Sequence, residues 1–462
     1  MYRIGVVAGK LGDVDGVSLE VDKWIEVLQG FGHEVFTIAG RYEANLSRVP
    51  ESNRYTEEDL RFDSPLQREY EQEVFPHLNK TAPHVNGRRR KYIVQELEKN
   101  GVALANRIFE NLYNNEIDVL IAENTNALPM TLLGGMAVYQ LAVRRRVATI
   151  FHHHDFWWER SRFSNSRIEQ LLGKIMPPTD PGLEHVVLSS YAAHILRSLK
   201  HVEPKVIPNC EDFDTPVVPD EYNADVRKEL GFSEEDILVV QPTRIVPRKR
   251  IEDSLKLCSL LEKSYPDLKG RIHLIVSLYQ GDEPDIDYVG YIQRYAEDLG
   301  IPLHLISDRV WACRGEDDKG RKMYTNRDIL VHADLVTYLP IWEGFGNALL
   351  EAVAARVPIV TTTYLVYKTD IRGARLRNIE IRDNYCEDGS LDIPDRALDE
   401  IYYVLNHPEE KKEIVEANFK TAAREFGIET LRTCLGNTLA DYSDEIRASR
   451  KRIRKSGAFY SV

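Results

Sequence analysis

Residues 335–362 restrict this chain more than any other stretch. Leu335-Val336-Thr337-Tyr338-Leu339 is a short apolar run, β-branched enough for a buried strand, and Pro340 ends it. Trp342-Glu343-Gly344-Phe345-Gly346-Asn347 then turns tightly, Ala348-Leu349-Leu350-Glu351-Ala352 opens a helix, and residues 357–362 form another apolar strand. Strand, glycine turn, helix and strand make one βαβ unit of a parallel sheet. Gly344 and Gly346 let the backbone approach a ligand closely, and the helix aims unsatisfied N–H groups at it, which makes an anion site. Glu343 and Glu351 flank that site. Two carboxylates repel a phosphate, so they suit hydroxyls, a sugar on one side and a ribose on the other.

The same rhythm opens the chain. Residues 4–8 are apolar throughout, 9–16 form a glycine and aspartate loop, 17–30 carry a helical period, and 32–38 read as a second strand. A doubly wound α/β architecture follows. The first loop reads either as a plain βα turn or as a phosphate-approach loop, with Gly12, Asp13 and Gly16 as its candidates; there is no G-x-G-x-x-G. At 462 residues the chain exceeds one ordinary core, so two domains are expected. The proline-rich acidic segment 213–223 reads as the linker between them. The net charge of −13 argues against a nucleic-acid binder. No apolar run approaches the roughly 18 residues of a membrane helix, and the first residues are too short and glycine-bounded for a signal peptide. Five scattered cysteines without a C-x-x-C pair suit reduced thiols in a cytoplasmic protein, with neither a disulfide frame nor zinc.

Two other places carry chemistry. Residues 237–241 are an apolar strand, and Pro242-Thr243-Arg244-Ile245-Val246-Pro247-Arg248-Lys249-Arg250 follows, leading into a helix. Cations at a strand end beside a helix start make a pyrophosphate site, Arg as the fork and Lys as the point charge; a solvated basic face is the plainer reading of such a cluster. The strand 147–151 runs into His152-His153-His154-Asp155-Phe156-Trp157-Trp158-Glu159-Arg160. Consecutive strand residues alternate faces, so the three histidines cannot share one tetrahedral ion without distortion, and no metal is expected. A single histidine aimed at a ligand is enough. Residues 123–126 end another strand, where open α/β sheets bind ligands.

Glu343 to Glu351, embedded in E-G-F-G-N-A-x-x-E-A and followed by Pro358-Ile359-Val360, resembles the E-x7-E motif of family 4 of the retaining GT-B glycosyltransferases. The resemblance implies two Rossmann-like domains facing a cleft. Their expected spans are 1–212 for an acceptor-side domain, 213–428 for a nucleotide-sugar domain, and 429–462 for a helix crossing back to the first domain plus a basic tail. It further implies that Glu343 touches the transferred sugar, that Glu351 holds the ribose, and that Gly344, Phe345, Gly346 and Asn347 hold sugar and diphosphate. Arg244 and Lys249 resemble the family's R-x4-K diphosphate pair, and the loop with Gly12 and Gly16 resembles its donor-side glycine loop. A histidine after the 147–151 strand stands near the reacting sugar in that family; which of His152, His153 and His154 does so stays open, with His153 and His154 preferred. Val206-Ile207-Pro208-Asn209 resembles the turn that closes the family's first domain, with Cys210 where glycine is usual.

The run from His152 to Arg160, with Asn126-Ala127-Leu128-Pro129-Met130 before it, resembles a narrower branch that includes mannosylglucosylglycerate-type synthases. The implied reaction is retaining transfer of mannose or glucose from a nucleotide sugar to a small polar acceptor, glucosylglycerate or its phosphate. His152, Asp155, Trp158, Arg160 and Asn126 are its acceptor candidates, the tryptophans being equally readable as core. No metal or other cofactor is implied, since the cations stabilise the departing diphosphate. A sugar phosphorylase or trehalose-type synthase, transfer to a lipid, and a non-catalytic nucleotide-sugar sensor are the rivals. Residues 41–91 fit the βα rhythm poorly and read as a functional insertion or lid. The basic tail around Arg447, Arg450, Lys451, Arg452, Arg454 and Lys455 reads as solvated or disordered.

Overall fold

The computed structural model describes residues 1–43, 46, 48–75, 86–280 and 287–457. The chain forms two compact units, Met1–Pro208 with Leu431–Val462, and Asn209–Thr430. Each is built on one parallel sheet.

The first unit has seven strands: β1 (Arg3–Ala8), β2 (Glu34–Ala39), β3 (Arg54–Thr56), β4 (Val119–Glu123), β5 (Thr149–His153), β6 (Glu184–Val187) and β7 (Lys205–Val206). Their order is β3-β2-β1-β4-β5-β6-β7. Ile4 pairs with Val35 on one side and Val119 on the other, so β1 is central. The central strands are buried end to end because helices cover both faces, which is why they read as continuous apolar runs. Those helices include Gly16–Gly30, Gly87–Asn114, Leu132–Tyr139 and Ser190–Lys200. Ser189 starts the last of them by accepting a hydrogen bond from Ala192 N at 3.1 Å.

The second unit carries β8 (Ile237–Gln241), β9 (Ile272–Val276) and β10 (Leu303–Leu305), then a small hairpin of β11 (Gly315–Glu316) and β12 (Lys322–Met323). β13 (Leu335–Tyr338), β14 (Ile359–Thr362) and β15 (Ile379–Ile381) complete it. The six-stranded sheet runs β10-β9-β8-β13-β14-β15. In each unit the order reverses beside the first strand, between β1 and β4 and between β8 and β13. Loops leaving the carboxyl ends there splay apart and leave room for a ligand.

Several expectations change. The stretch 41–91 is not one loop: it contributes the edge strand β3, the helix Pro65–Val74 and the start of the helix Gly87–Asn114, while 44, 45, 47 and 76–85 lie outside the described residues. Arg89, in the basic run there, is engaged by Glu73. Residues Val226–Glu229 form a single helical turn ahead of β8. The basic tail is a helix, Ser443–Gly457, not a solvated strand of chain, and its last five residues lie outside the described ones. Ile446, Ser449 and Ile453 are buried along it. Ser449 Oγ accepts from Ala148 N at 2.9 Å, and Tyr442 Oη accepts from Thr149 N at 3.1 Å and donates to Gly182 O at 2.8 Å. Arg450 closes a two-pronged pair with Asp118. The C-terminal segment therefore satisfies backbone groups at the start of β5 and just ahead of β6. The sequence also reads as an acidic loop over 280–287, of which 281–286 lie outside the described residues.

Candidate functional site

In the second unit the loops after β8 and β13 are tied to each other. Ile341 N donates to Arg248 O at 3.0 Å, and Gln241 Nε2, at the end of β8, donates to Lys249 O at 2.8 Å. Arg250 turns through a left-handed conformation and is spent on the next helix, bonding Asp253 at 2.6 Å. Arg248 and Lys249 both reach the Glu343 carboxylate, Arg248 Nη1 at 2.6 Å and Lys249 Nζ in a close ion pair. Lys249 is 9% exposed and its ammonium lies 5.4 Å from the Tyr338 ring centroid. Burial lowers its pKa to about 8; Glu343 opposes that shift, and Arg248 and Arg244 add to it. Arg244 is half-buried and has no hydrogen bond or ion pair among the described residues. A guanidinium without a partner, close enough to a buried ammonium to lower its pKa, is a pair of groups that can accept an anion.

The turn after Glu343 is held from below. Tyr364 Oη donates to Phe345 O at 2.6 Å, and a Cβ on Gly346 would sit 2.6 Å from the Tyr364 hydroxyl, so a side chain there would displace it. The helix Asn347–Ala354 starts there, with Leu349 N and Leu350 N both bonding Gly346 O. Asn347 Oδ1 accepts from Asn209 Nδ2 at 2.5 Å. Glu351, one turn in, is buried and accepts from Asn326 Nδ2 at 2.8 Å, and Asn326 is in turn held by Ser277 Oγ at 2.5 Å. Arg327 pairs with Glu211 at 2.6 Å, and a cavity of about 40 Å³ is lined by both, by Glu351 and by Ala354. Arg244, Lys249, Glu343, Gly344, Phe345, Gly346, Asn347 and Glu351 thus all lie on the loops and helix that leave the switch point of one sheet.

In the first unit the histidine run divides by face. His153 points to one side, where its Nε2 lies 3.0 Å from His185 Nδ1 and its ring packs with Phe151 and Phe156. Burial holds both imidazoles neutral, His153 well below the ordinary range and His185 at about 3. His152 and His154 point to the other side, toward Glu123 at the end of β4, which sits opposite His152 in the sheet. His152 Nδ1 is 3.1 and 3.0 Å from the two Glu123 oxygens, and His154 Nε2 is 3.3 Å from one of them. Burial works against the Glu123 charge, yet the imidazoles bring its pKa down to about 2; burial also works against a charged His154, and Glu123 outweighs it and raises that ring. Burial prevails at His152 and lowers it. Among the described residues, Glu123, His152 and His154 form the one group of three metal-ligand types whose donor atoms lie within 4.8 Å of one another.

The other candidates of this unit fall into two kinds. Asn124 Oδ1 accepts from His154 N at 3.1 Å, Asn124 Nδ2 donates to Asp155 at 3.3 Å, and Arg160 Nε donates to Asp155 at 2.8 Å, so His154, Asp155 and Arg160 form one connected edge. Asn126 is fully buried and donates to Gly135 O and Ile175 O, which is structural work. Trp158 stacks on Phe156 at 4.6 Å. In the first loop, Gly12 has φ +81° with Glu43 O 2.8 Å from any Cβ, and Gly16 is the first residue of its helix. Asp15 caps that helix, accepting from Val17 N and Ser18 N, and Lys10 pairs with Asp13 at 2.6 Å and Asp15 at 3.2 Å. The N–H groups a phosphate would use there are engaged by a carboxylate.

Three residues of the two clusters were given no role of their own from sequence: Glu123, placed only within the strand end 123–126, Arg248 and Asn326. Glu123 had a signal, a carboxylate closing the apolar run 119–122. Arg248 lay in the basic run but off the R-x4-K spacing. Asn326 reaches Glu351 across 25 residues of chain and leaves no local trace.

The glycosyl transferases group 1 family matches residues 223–372, which include Arg244, Lys249, Glu343 and Glu351. Mannosylglucosylglycerate synthase of Thermotoga maritima is 30% identical over 448 residues, 94% of this chain and 98% of that protein. The synthase of the same name from Petrotoga mobilis is 29% identical over 386 residues, 80% and 84% of the two chains. Among solved structures, Anabaena HepE in complex with UDP and glucose superposes with a TM-score of 0.61 at 14% identity, over 95% of this chain and 100% of that one.

Proposed function

From a chain that belongs to the glycosyltransferase family of the mannosylglucosylglycerate synthases and has the GT-B fold, we propose that it transfers a hexose from a nucleotide sugar to a hydroxyl of glucosylglycerate or its phosphate. The observation that carries the reading is the cation cluster at the β8/β13 switch point: Lys249 strained by burial, Arg244 uncommitted, and Glu343 between Lys249 and Arg248. A nucleoside diphosphate fits it. Arg244 and Lys249 take the diphosphate oxygens, the amides at 346–347 add fixed dipoles, and Glu351 accepts from the ribose hydroxyls. When a donor enters, Glu343 turns from the cations to the sugar hydroxyls.

The reaction we infer is retaining. The bond between the anomeric carbon and the diphosphate oxygen breaks while the acceptor oxygen bonds the same face of that carbon, and the acceptor proton passes to the diphosphate oxygen. No protein nucleophile is required, and the two cations stabilise the leaving group without a metal on the diphosphate. The acceptor candidates of the first unit lie along the edge formed by His154, Asp155 and Arg160. Among the three histidines we favour His154, because His153 is turned to His185.

Mannose from GDP-mannose is the first choice of donor, from the products the two relatives are named for. UDP-glucose is the second, because HepE was solved with UDP and glucose. Five unbridged cysteines, Cys313 and Cys386 exposed, suit a reducing compartment such as the cytoplasm.

Calorimetric titration with GDP, UDP, ADP, GDP-mannose and UDP-glucose, with and without chelator, tests the donor. Product analysis with glucosylglycerate tests the acceptor. Selective chelator-insensitive binding of one nucleotide, with product formed from its sugar, is the expected result. Binding of none of them, with a response to inorganic phosphate alone, would remove the transferase reading.

A further inference from the structure

We propose that Glu123, His152 and His154 form a binding site for one divalent transition-metal ion, of the class that zinc and cobalt represent. Strand alternation excludes three consecutive histidines from one ion, but it places residues i and i+2 on the same face. His152 and His154 are such a pair. The parallel register sets Glu123 of β4 directly opposite His152 of β5, so the carboxylate arrives on the same face from the neighbouring strand.

The spacing fits. Two ligands each about 2.0–2.2 Å from a tetrahedral ion lie roughly 3.3–3.5 Å apart. His152 Nδ1 and His154 Nε2 stand 3.0 and 3.3 Å from the same oxygen of Glu123, and all three donors lie within 4.8 Å of one another. An ion needs shifts of a few tenths of an ångström on those two edges. The third edge closes by turning the His154 ring, the least buried of the three at 9% and the way in.

The surroundings favour an ion over a purely polar contact. Glu123 is 1% exposed at its side chain, and its only partners among the described residues are these two imidazoles, which are both ligands in their neutral form. A buried carboxylate needs a compensating positive charge, and a divalent ion supplies it in full. His152 is clamped against Trp24, ring centroids 4.1 Å apart, and the His154 backbone is fixed by Asn124, so two of the three ligands are held in place. Two imidazoles and one carboxylate leave at least one coordination position for an oxygen ligand. The site belongs to the first unit and is independent of the diphosphate cations Arg244 and Lys249 in the second.

The test uses the full-length protein without a tag, dialysed against chelator and then titrated with cobalt(II) or zinc chloride. We expect one ion per chain by elemental analysis, a saturable visible cobalt band of nitrogen and oxygen ligation without a thiolate feature, and a rise in thermal midpoint. Glu123→Gln, which keeps size and hydrogen bonding, and His152→Asn should each weaken uptake at least 30-fold while GDP and UDP binding to the second unit is kept. Absence of stoichiometric uptake in the parent protein would overturn the site and leave the trio a hydrogen-bonded carboxylate and imidazole cluster. Equal uptake by parent and variants would also overturn it. Nucleotide binding is read separately, so failure of the ion site and failure of the transferase reading are distinguishable.

Discussion

Replacing Lys249 by methionine tests whether the second-unit cluster is built for a diphosphate. Burial holds the Lys249 pKa down at about 8 instead of 10.5, although Glu343 sits against it. That difference, 10.5 − 8 = 2.5, corresponds to about 3 kcal/mol held against the charged form. A diphosphate brings a second counter-charge. If it restores the ordinary pKa, the coupling is worth up to about 3 kcal/mol, or roughly 100-fold in affinity. Lys249→Met should therefore weaken GDP or UDP binding by about two orders of magnitude.

The pH dependence is more diagnostic. A terminal phosphate ionises near pH ~6 and guanidinium groups stay charged, so above pH ~7.5 the lysine is the protein cation that titrates at this site, and ionisation of the nucleotide base is common to parent and variant. Affinity should hold to about pH 8 and then fall close to tenfold per unit, and the methionine variant should show no such slope. Stability moves the opposite way. The folded pKa lies below the unfolded one, so between about 8 and 10.5 the unfolded chain binds more protons and this group adds stability as pH rises. Calorimetry from pH ~7.5 to ~10 on both proteins decides it. A Kd for the variant within about threefold of the parent, or the same slope in both, would refute the reasoning.

Three further outcomes are expected. Glu343→Ala should cut product formation at least about 100-fold, by chromatographic assay, while the nucleoside diphosphate still binds, because the role proposed for the carboxylate is on the sugar. Tyr442→Phe removes the acceptor of the buried Thr149 N–H and the donor to Gly182 O, and should lower unfolding free energy by about 1–3 kcal/mol in urea titrations. Glu159 is pushed up to about 7, by burial first and by Asp155, against the hydrogen bond it takes from Phe156 N. The folded pKa exceeds the unfolded one, so its stabilising contribution is complete below pH ~4.5 and lost as pH rises through about 7; Glu159→Gln should flatten that decline, by about 1–3 kcal/mol at most, in stability measured from pH 4.5 to 8.

The parts of the fold visible in sequence are those where burial forces an unbroken apolar run. β1, β4, β8, β13 and β14 are of that kind. β3 is Arg-Tyr-Thr on a sheet edge, and β11 and β12 are two residues each, so no periodicity marks them. Charge hid the last helix: Ile446, Ser449 and Ile453 make a narrow buried stripe under six cations, and the cations dominate the reading. The carboxylate pair was legible because its spacing is local. Which histidine faces which neighbour was not, because alternation fixes relative faces only. The identity of each face depends on β4 and β6, whose partners Glu123 and His185 lie about thirty residues away.

The bonds from Ser449 to Ala148 and from Tyr442 to Thr149 span 301 and 293 residues. On a ribosome adding about 5–20 residues per second, those partners emerge roughly 15–60 s after the amides they serve. The second unit, 209–430, is continuous in the chain and lies wholly within that interval. It can finish folding while the first sheet still shows two bare amides, so the unit synthesised first is the one completed last. A chain that stops before residue 442 releases a finished second unit attached to an unfinished first one.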